Sequence, residues 1–215
     1  MKLYEFPSSP HCLKVRAVAY ELGVELELVA VDILRGASRS SAFAALNPNR
    51  LVPVLVDGDF VLWESNAILT YLASTHWSPA LISADPRARA DVDRWLHWQS
   101  AHLGPAIAKV TFECFLKPLA GQAPIDRAGA ARAACDFEAY CRVLEASLRD
   151  KEYVATRLSV ADFALACHLN SAAMVGLGVQ TFPRTEAWLG RMLTRESVRR
   201  AFTDVGDEIA SLVSS

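Results

Sequence analysis

Apolar and polar residues alternate with two different periods along the first 75 residues, which predicts short strands separated by helices. Residues 2–6 have the two-residue period of a strand. A helix that ends at Gly23 follows, and its apolar stripe comprises Val15, Val18, Ala19 and Leu22. A half-buried strand is then indicated by Leu26, Leu28 and Ala30, which alternate with Glu25 and Glu27. The chain is therefore predicted to open with a βαβ unit.

A hairpin is predicted after a polar loop. Apolar runs at 51–56 and 60–63 flank Asp57-Gly58-Asp59, and Asp-Gly between such runs is typical of a tight β-turn. A helix from about Ser65 to Ser74 follows. The order β-α-β, loop, β-β-α predicts a small mixed sheet with helices packed against it, an α/β domain over residues 1–76.

From residue 86 onward the hydrophobic pattern is helical. Residues 77–85 contain Pro79 and lack a helical period, so we interpret them as a linker. Asp85-Pro86 is typical of an N-cap followed by proline in the first turn, and Pro105 should kink the long helix that begins there. One face of this helix is marked by Val92, Trp95, Leu96, Gln99 and Leu103. The corresponding faces of two later helices comprise Ala134, Phe137, Cys141, Leu144 and Leu148, and Trp188, Leu189 and Met192. The predicted second domain, 86–215, is all α.

Composition places the chain among ordinary globular proteins, with 52% hydrophobic and 21% charged residues. The 22 lysines and arginines nearly balance the 24 aspartates and glutamates, and no basic stripe of the kind that binds nucleic acid is present. The start of the chain lacks a basic run followed by an apolar core, and no stretch of about 18 uncharged apolar residues occurs. We therefore expect no nucleic-acid partner, no membrane partner and a cytoplasmic location.

The five cysteines indicate neither a disulfide framework nor a zinc site, because their number is odd and they lack CxxC spacing or nearby paired histidines. No metal is expected. We expect most of the cysteines to be buried as small apolar residues. This expectation concerns Cys114, Cys135, Cys141 and Cys167. Cys12 is set apart because it adjoins a polar segment discussed below.

Proline inside the apolar run Leu51–Leu55 is the most informative local feature. Pro53 cannot donate to a β-ladder, so it belongs at a sheet edge or follows a special peptide bond. If the Val52–Pro53 bond is cis, the backbone N–H and C=O of Val52 face outward and can pair with an extended, peptide-like ligand. The alternative is an ordinary edge-strand proline.

A polar cluster, Glu64-Ser65-Asn66, stands at the predicted start of the next helix. Ser65 can serve as its N-cap, and the exposed N–H groups and helix dipole favour a ligand carboxylate there. Capping without any ligand is the alternative explanation.

A second polar cluster, Ser8-Ser9-Pro10-His11-Cys12, joins the first strand to the first helix. A hydroxyl at a helix N-terminus can donate to a bound thiolate. Lowering a thiol pKa by about two units from about 8.5 corresponds to roughly 2.7 kcal/mol, within reach of one donor and a helix dipole. A simple helix cap is the alternative here too.

Together these segments resemble the glutathione transferase family over almost the whole chain. Residues 47–55 are similar to the family's NPxxxVPxL segment with its cis-proline, and residues 64–68 to its ES-x-A-I segment. The resemblance implies a thioredoxin-like N-terminal domain, an all-helical C-terminal domain, a homodimer, and glutathione as co-substrate. It also implies that Val52 pairs with the cysteinyl backbone of glutathione and that Ser159 and Asp162 form a structural capping box.

The N-terminal loop resembles the serine-type theta, delta and phi classes. A gapless match through Tyr4 and Val15 places Ser9 on the catalytic serine, with Ser8 one residue away as an alternative. A strand tyrosine such as Tyr4 is commonly a core residue. Cys12 could support disulfide chemistry if exposed, although the reactive cysteine of cysteine-type relatives corresponds to Ser9.

The resemblance also implies two sets of binding residues. Glutathione would be held by Ser9, Arg50, Leu51, Val52, Pro53, Glu64, Ser65 and Asn66. Leu51 replaces a lysine of many relatives and Ser38 a histidine of some, so Arg50 or Arg39 is the alternative contact for the glycyl carboxylate. Candidates for the apolar acceptor site are His11, Trp98, His102, Phe112 and Phe115, with core packing as the alternative for the aromatic rings.

Two functional hypotheses follow. The first is a detoxifying enzyme that ionises glutathione for attack on a hydrophobic electrophile or for reduction of a peroxide. The second is a non-catalytic relative that keeps the fold as a binding or assembly module. The joint presence of Ser9, Val52-Pro53 and Glu64-Ser65 favours the enzyme, because a scaffold has no evident need for all three.

Overall fold

The structure is a computed structural model that describes residues 1–76 and 80–203. The chain divides into two compact units, Met1–Ile82 together with the segment from Thr194 onward, and Ser83–Leu193. The sequence predicted a first domain of residues 1–76 and a second of residues 86–215. In the structure, the segment from Thr194 onward belongs to the first unit. Pro79 of the predicted linker and residues 204–215 of the predicted helical domain lie outside the described residues.

A four-stranded sheet forms the centre of the first unit. In chain order its strands are β1 Lys2–Glu5, β2 Glu27–Ala30, β3 Val54–Asp57 and β4 Phe60–Trp63, and their order in the sheet is β2-β1-β3-β4. β1 and β2 are parallel, and β3 is antiparallel to both its neighbours. The helices of this unit are α1 Pro10–Glu21, α2 Ser41–Leu46 and α3 Ser65–Thr75, with a 3₁₀ turn at Ala37–Arg39. The predicted α/β fold with a mixed sheet is confirmed.

The predicted hairpin is present between β3 and β4. Gly58 and Asp59 form its two-residue turn, and Gly58 adopts a φ of 63°, a conformation that glycine adopts without steric cost. β3 begins only at Val54, directly after the Val52–Pro53 peptide bond, which is cis as predicted. A second cis bond, Ala123–Pro124, was not predicted.

The middle of helix α1 is buried on all sides, which corrects the prediction of a single apolar stripe. Every residue from Cys12 to Ala19 is buried, including two cationic ones. Arg16 forms a buried ion pair with Glu5 of β1, and the Lys14 ammonium donates to the side-chain oxygen of Asn66 in α3. Buried charges require such partners, so these two contacts allow the cationic residues in the middle of the helix to be buried.

Residues 195–200, which follow α9, contact the last two residues of α1. The Glu21 carboxylate accepts hydrogen bonds from the guanidinium of Arg195 and from the hydroxyl of Ser197. In the helical stretch 196–203, the Arg200 guanidinium lies 3.9 Å from the centre of the Tyr20 ring. A cation–π contact and an ion pair therefore fasten this segment to α1.

The regular elements among the described residues of the second unit are all helical. α4 Pro86–Trp98 starts at Asp85, whose carboxylate accepts from the Ala88 N–H at 2.8 Å, as the Asp-Pro pair predicted. The other helices are α5 Gly104–Thr111, α6 Lys117–Leu119, α7 Arg127–Ser147, α8 Val160–Ala172 and α9 Pro183–Thr194, with a 3₁₀ turn at Ala173–Val175. Two π-helical turns, Gln99–Leu103 and Phe112–Leu116, join α4 to α5 and α5 to α6.

Each π-helical turn lies just before a proline. A proline at position i lacks the N–H that would bond the carbonyl of residue i−4, and its ring crowds that carbonyl. For Pro105 and Pro118 these residues are Ala101 and Cys114, and both lie within the π-helical turns. The kink predicted at Pro105 is therefore a widened turn, and Pro118 is preceded by a second one.

Asp162 connects three parts of the second unit. It is fully buried and forms a capping box with Ser159 at the start of α8, where it accepts from the Ser159 N–H at 2.9 Å and from its hydroxyl at 3.0 Å. It also accepts from the Val154 N–H and from the Trp188 indole N–H, both at 3.0 Å. Burial raises the pKa of Asp162, and these hydrogen bonds oppose that rise. One carboxylate thus holds the loop before α8, the start of α8 and the side chain of an α9 residue.

The cysteines differ from the prediction in which of them are buried. Cys12 is fully buried together with Cys141 and Cys167, whereas Cys114 and Cys135 are exposed. Within the ranges 1–76 and 80–203, no three histidine, cysteine or carboxylate side chains are grouped to hold a metal ion. In those same ranges, none of the helices combines the length and the apolar character needed to cross a membrane.

Candidate functional site

A cavity of about 180 Å³ in the first unit lies beside the cis bond and the start of α3. Its lining comprises His11, Asn47, Asn49, Leu51, Val52, Pro53, Glu64 and Ser65. Five of the predicted glutathione-binding residues therefore meet here, namely Leu51, Val52, Pro53, Glu64 and Ser65. The other three, Ser9, Arg50 and Asn66, are not among the lining residues.

The loop before Pro53 is held by Asn47, a residue whose role the sequence analysis missed. Asn47 is buried, its side-chain N–H donates to the Leu51 carbonyl at 2.8 Å, and its side-chain oxygen accepts from the Asn49 N–H at 2.9 Å. Arg50, within this turn, has a φ of 57°. An asparagine followed by proline at the end of a helix was the available signal, because Asn side chains readily bond nearby backbone. Asn47 thereby fixes the backbone that leads to Val52.

Glu64 is the N-cap of α3, which corrects the prediction that Ser65 has this role. Glu64 has a φ of 71°, its carbonyl accepts from the Ile68 N–H at 3.0 Å, and its side chain is exposed. Ser65 is the first residue of the helix and is buried. The N-terminal N–H groups of a helix lack intrahelical partners and carry partial positive charge. This end of the cavity therefore combines an exposed carboxylate with an anion-favouring helix start.

His11 lies at the same end of the cavity, although sequence reasoning assigned it to the acceptor site. Its Nδ1 atom is 3.2 Å from the Ser65 hydroxyl oxygen. Part of the residue is exposed to solvent, yet desolvation by the surrounding protein lowers the pKa of His11 below its ordinary value of 6.5, and the Lys14 ammonium lowers it further. The imidazole is therefore neutral at pH 7.

Ser9 is the N-cap of α1 and is half-buried. Its backbone carbonyl accepts from the N–H groups of Cys12 and Leu13, both at 2.9 Å, while its hydroxyl makes no capping bond. Ser8 is half-buried as well. The Ser9 hydroxyl is thus not used to close the helix.

Neither Cys12 nor Tyr4 has the environment of a reactive group. Cys12 is fully buried, and this burial raises the pKa of its thiol to about 12, although hydrogen bonds from Phe6 and Ser9 oppose the rise. The exposure that disulfide chemistry would require is absent. The Tyr4 ring packs edge-on against Phe43, with 6.3 Å between the ring centres, so it belongs to the core cluster around that residue.

The predicted acceptor residues of the second unit fall into two groups. Trp98 and His102 form an aromatic cluster with Tyr140 of α7, with ring centres 5.5–6.4 Å apart, and His102 and Tyr140 also line an open groove of about 390 Å³. Phe112 and Phe115 lie on the second π-helical turn, and their side chains are 44% and 42% exposed. Sequence reasoning did not single out Tyr140.

Glu113 anchors the π-helical turn that carries the two phenylalanines. Its buried carboxylate accepts from the ammonium groups of Lys109 at 3.0 Å and Lys117 at 2.8 Å, and from the Asp126 N–H at 2.8 Å. Hydrogen bonds from Lys117, Asp126 and Lys109 lower the pKa of Glu113 to about 2. Asp126 in turn caps α7 by accepting from the Gly129 N–H. The ionised Glu113 therefore connects the π-helical turn to the start of α7.

The chain matches two family descriptions, "Glutathione S-transferase, N-terminal domain" over residues 1–74 and "Glutathione S-transferase, C-terminal domain" over residues 104–196. It is 36% identical to glutathione S-transferase 3 of Zea mays over 206 residues, and this alignment covers 93% of this chain and 92% of that protein. It is 33% identical over 202 residues to glutathione S-transferase theta-1 of Bos taurus, covering 89% and 82%.

A solved structure agrees with these sequence matches. The glutathione transferase URE2P8 of Phanerochaete chrysosporium, solved with oxidized glutathione, superposes with a TM-score of 0.89 at 25% identity, covering 97% of this chain and 96% of that chain. The thioredoxin-like sheet and the helical second part occur here in the order that the resemblance implied. This chain belongs to the glutathione S-transferase family.

Proposed function

We propose that this protein is a glutathione transferase that ionises the thiol of glutathione for attack on a hydrophobic electrophile or a peroxide. The observation that carries the proposal is the cavity in which Val52, preceding the cis Pro53, meets Glu64 and Ser65. Val52 can pair with a peptide backbone, Glu64 can bind an ammonium group, and Ser65 at the start of α3 can bind a carboxylate. Glutathione has all three in its cysteinyl and γ-glutamyl parts.

The cavity residues divide the binding of glutathione between them. The Val52 backbone would pair with the cysteinyl backbone, in the manner of strand addition. The exposed Glu64 carboxylate would bind the γ-glutamyl ammonium, while Ser65, Asn66 and the start of α3 would bind its carboxylate. The exposed side chains of Arg50 or Arg39 would reach the glycyl carboxylate.

The Ser9 hydroxyl and the N-terminus of α1 would then stabilise the thiolate. The hydroxyl does not cap the helix, and its hydrogen bond to the buried Cys12 thiol would give way to one with the bound thiolate. Donation of one hydrogen bond to the thiolate favours the charged form and so lowers the thiol pKa, and the helix dipole acts in the same direction. Trp98, His102, Phe112 and Phe115 of the second unit would orient the acceptor; Phe112 and Phe115 are exposed, whereas Trp98 is half-buried.

The proposal is tested by measuring binding and turnover separately. Glutathione should bind in calorimetry and raise the melting temperature, because a ligand that binds only the folded state stabilises it. Loss of free thiol should then be followed with a chlorodinitrobenzene and with an organic hydroperoxide. The control ligand is γ-glutamyl-2-aminobutyryl-glycine, which lacks the sulfur and should bind without reacting. Binding without any turnover would favour the non-catalytic module, and absence of binding at millimolar glutathione would refute both.

We further propose that two copies pair through β4, α3 and α4. β4 is an edge strand, and its apolar residues Phe60, Val61 and Trp63 are 45%, 37% and 38% exposed. An exposed apolar edge of this kind is typical of an interface. On α4, Asp91 and Arg94 form an ion pair at the surface.

Light scattering should give a mass of about twice 23.5 kDa. Trp63→Glu should shift the mass toward one chain, because a buried carboxylate in an apolar interface is costly. Leu34→Glu, at an exposed apolar residue of the loop after β2, serves as the matched control and should leave the dimer intact. A wild-type mass near 23.5 kDa at micromolar concentration would contradict the pairing.

A further inference from the structure

We propose that His11 is a positioning residue for the γ-glutamyl carboxylate of glutathione and that it acts through the hydroxyl of Ser65. The inference rests on the function proposed above and adds a residue to that site. His11 stands in the first turn of α1 and Ser65 is the first residue of α3, 54 positions later. Their side chains meet at 3.2 Å on the wall of one cavity, beside Glu64.

The chemistry of the hydroxyl decides what this contact does. A serine hydroxyl has one proton to donate and two lone pairs to accept with. If Ser65 donates its proton to Nδ1, that proton is not available to a ligand. If Nδ1 carries the proton and donates to the Ser65 oxygen, the hydroxyl proton can turn toward the cavity. Since a carboxylate only accepts, its binding selects the second arrangement.

The resulting chain runs from the imidazole N–H to the Ser65 hydroxyl and from that hydroxyl to the carboxylate. Each hydrogen bond in such a chain polarises the next, so the serine becomes a stronger donor than it would be alone. The arrangement also fixes the direction of the hydroxyl, which otherwise rotates. His11 therefore orients the donor that the ligand meets.

Desolvation first and the charge of Lys14 second lower the pKa of His11, which lets it fill this role as a neutral group. His11 and Lys14 are three positions apart on α1, and they reach two successive residues of α3, Ser65 and Asn66. The Lys14 ammonium therefore supplies positive charge next to the start of α3, where it opposes protonation of His11 and favours an anionic ligand. The charge for the carboxylate comes from Lys14 and the helix N-terminus, and the direction of the hydrogen bond comes from His11.

The test compares two substitutions that keep different nitrogen atoms of the imidazole. The Asn side-chain N–H₂ occupies the place of Nδ1, whereas that of Gln reaches the place of Nε2. His11→Ala should raise the KM and the Kd for glutathione about 5–10-fold with kcat within about twofold, the size expected for one hydrogen bond between neutral groups. His11→Asn should restore both values to within about twofold, and His11→Gln should not.

A second measurement ties the effect to the carboxylate. The probe is 4-aminobutyryl-cysteinyl-glycine, which is glutathione without its α-carboxylate. Wild type should bind it more weakly than glutathione, and His11→Ala should weaken that binding no further. Likewise, His11→Ala should have little effect in a Ser65→Ala background, because both variants remove the same chain of hydrogen bonds.

The outcomes separate this inference from the function on which it rests. If wild type fails to bind glutathione, the proposed function is wrong. If wild type binds it and His11→Ala binds it equally well, the role of His11 is wrong. The inference is also overturned if His11→Ala weakens both ligands to the same extent, or if His11→Gln restores binding as well as His11→Asn does, since a general packing role would give those results.

Discussion

Asp162→Ala is expected to lower the free energy of unfolding by about 3–5 kcal/mol. A capping box alone would predict a loss of about 1–2 kcal/mol, which is the estimate that the sequence supports. Asp162 also accepts from the Val154 N–H and the Trp188 indole N–H, and the site is fully buried. Removal of the carboxylate leaves these donors without an acceptor, and each buried unpaired donor costs about 1–3 kcal/mol. Urea unfolding followed by circular dichroism measures the difference.

Two variants accompany this measurement. Asp150→Ala removes an exposed aspartate of the same unit and should change stability by less than about 0.5 kcal/mol. Asp162→Asn keeps the volume but turns an amide N–H₂ toward N–H donors, so it should also destabilise the protein. The glutathione affinity of the folded fraction should stay the same. A loss below about 1 kcal/mol for Asp162→Ala would mean that the four hydrogen bonds contribute less than the geometry indicates.

Ser9→Ala is expected to lower turnover about 10–100-fold at pH 7 while glutathione affinity stays nearly unchanged. Affinity is retained because Val52, Glu64 and Ser65, which are proposed to hold the peptide, are untouched. The pKa of the bound thiol should rise by about one to two units, since the thiolate loses its side-chain donor. Titration of thiolate absorbance in the complex gives that pKa directly.

Neighbouring residues supply the controls for Ser9. Ser8→Ala should leave the thiol pKa unchanged, and a loss there in place of Ser9→Ala would shift the role by one residue. Cys12→Ser should also have little effect on the thiol pKa, because Cys12 is fully buried. If the thiolate titrates identically in wild type and all three variants, the helix dipole and the Val52 backbone set its pKa without a hydroxyl.

Features encoded by a few neighbouring residues could be predicted from the sequence. The Asp57-Gly58 hairpin, the start of α4 at Asp85-Pro86 and the cis bond before Pro53 are of this kind. Each depends on one turn or cap whose chemistry is local. The family resemblance added five of the eight residues that line the cavity as expected ligand contacts, and it did not indicate Asn47 or Asn49.

Features that depend on distant partners could not be predicted in the same way. The periodicity of α1 gave no sign that Lys14 and Arg16 are buried, because their partners Asn66 and Glu5 lie on other elements. The same holds for the hydrogen bond from Trp188 to Asp162, 26 residues apart. The sequence predicted Ser65 as the N-cap of α3 because serine is a favoured N-cap residue, but the N-cap is Glu64. The positive φ of Glu64 cannot be read from residue preferences.

Because Glu21 contacts Arg195 and Ser197, the first unit cannot complete its contacts until almost the whole chain has been synthesised. The sheet and its three helices are made within the first 76 residues, but Arg195 and Ser197, which hold the end of α1, follow Glu21 by more than 170 residues. Contacts so distant in sequence form slowly, because a long intervening chain must first be ordered. The unit that is translated first is therefore the one whose native contacts are completed last.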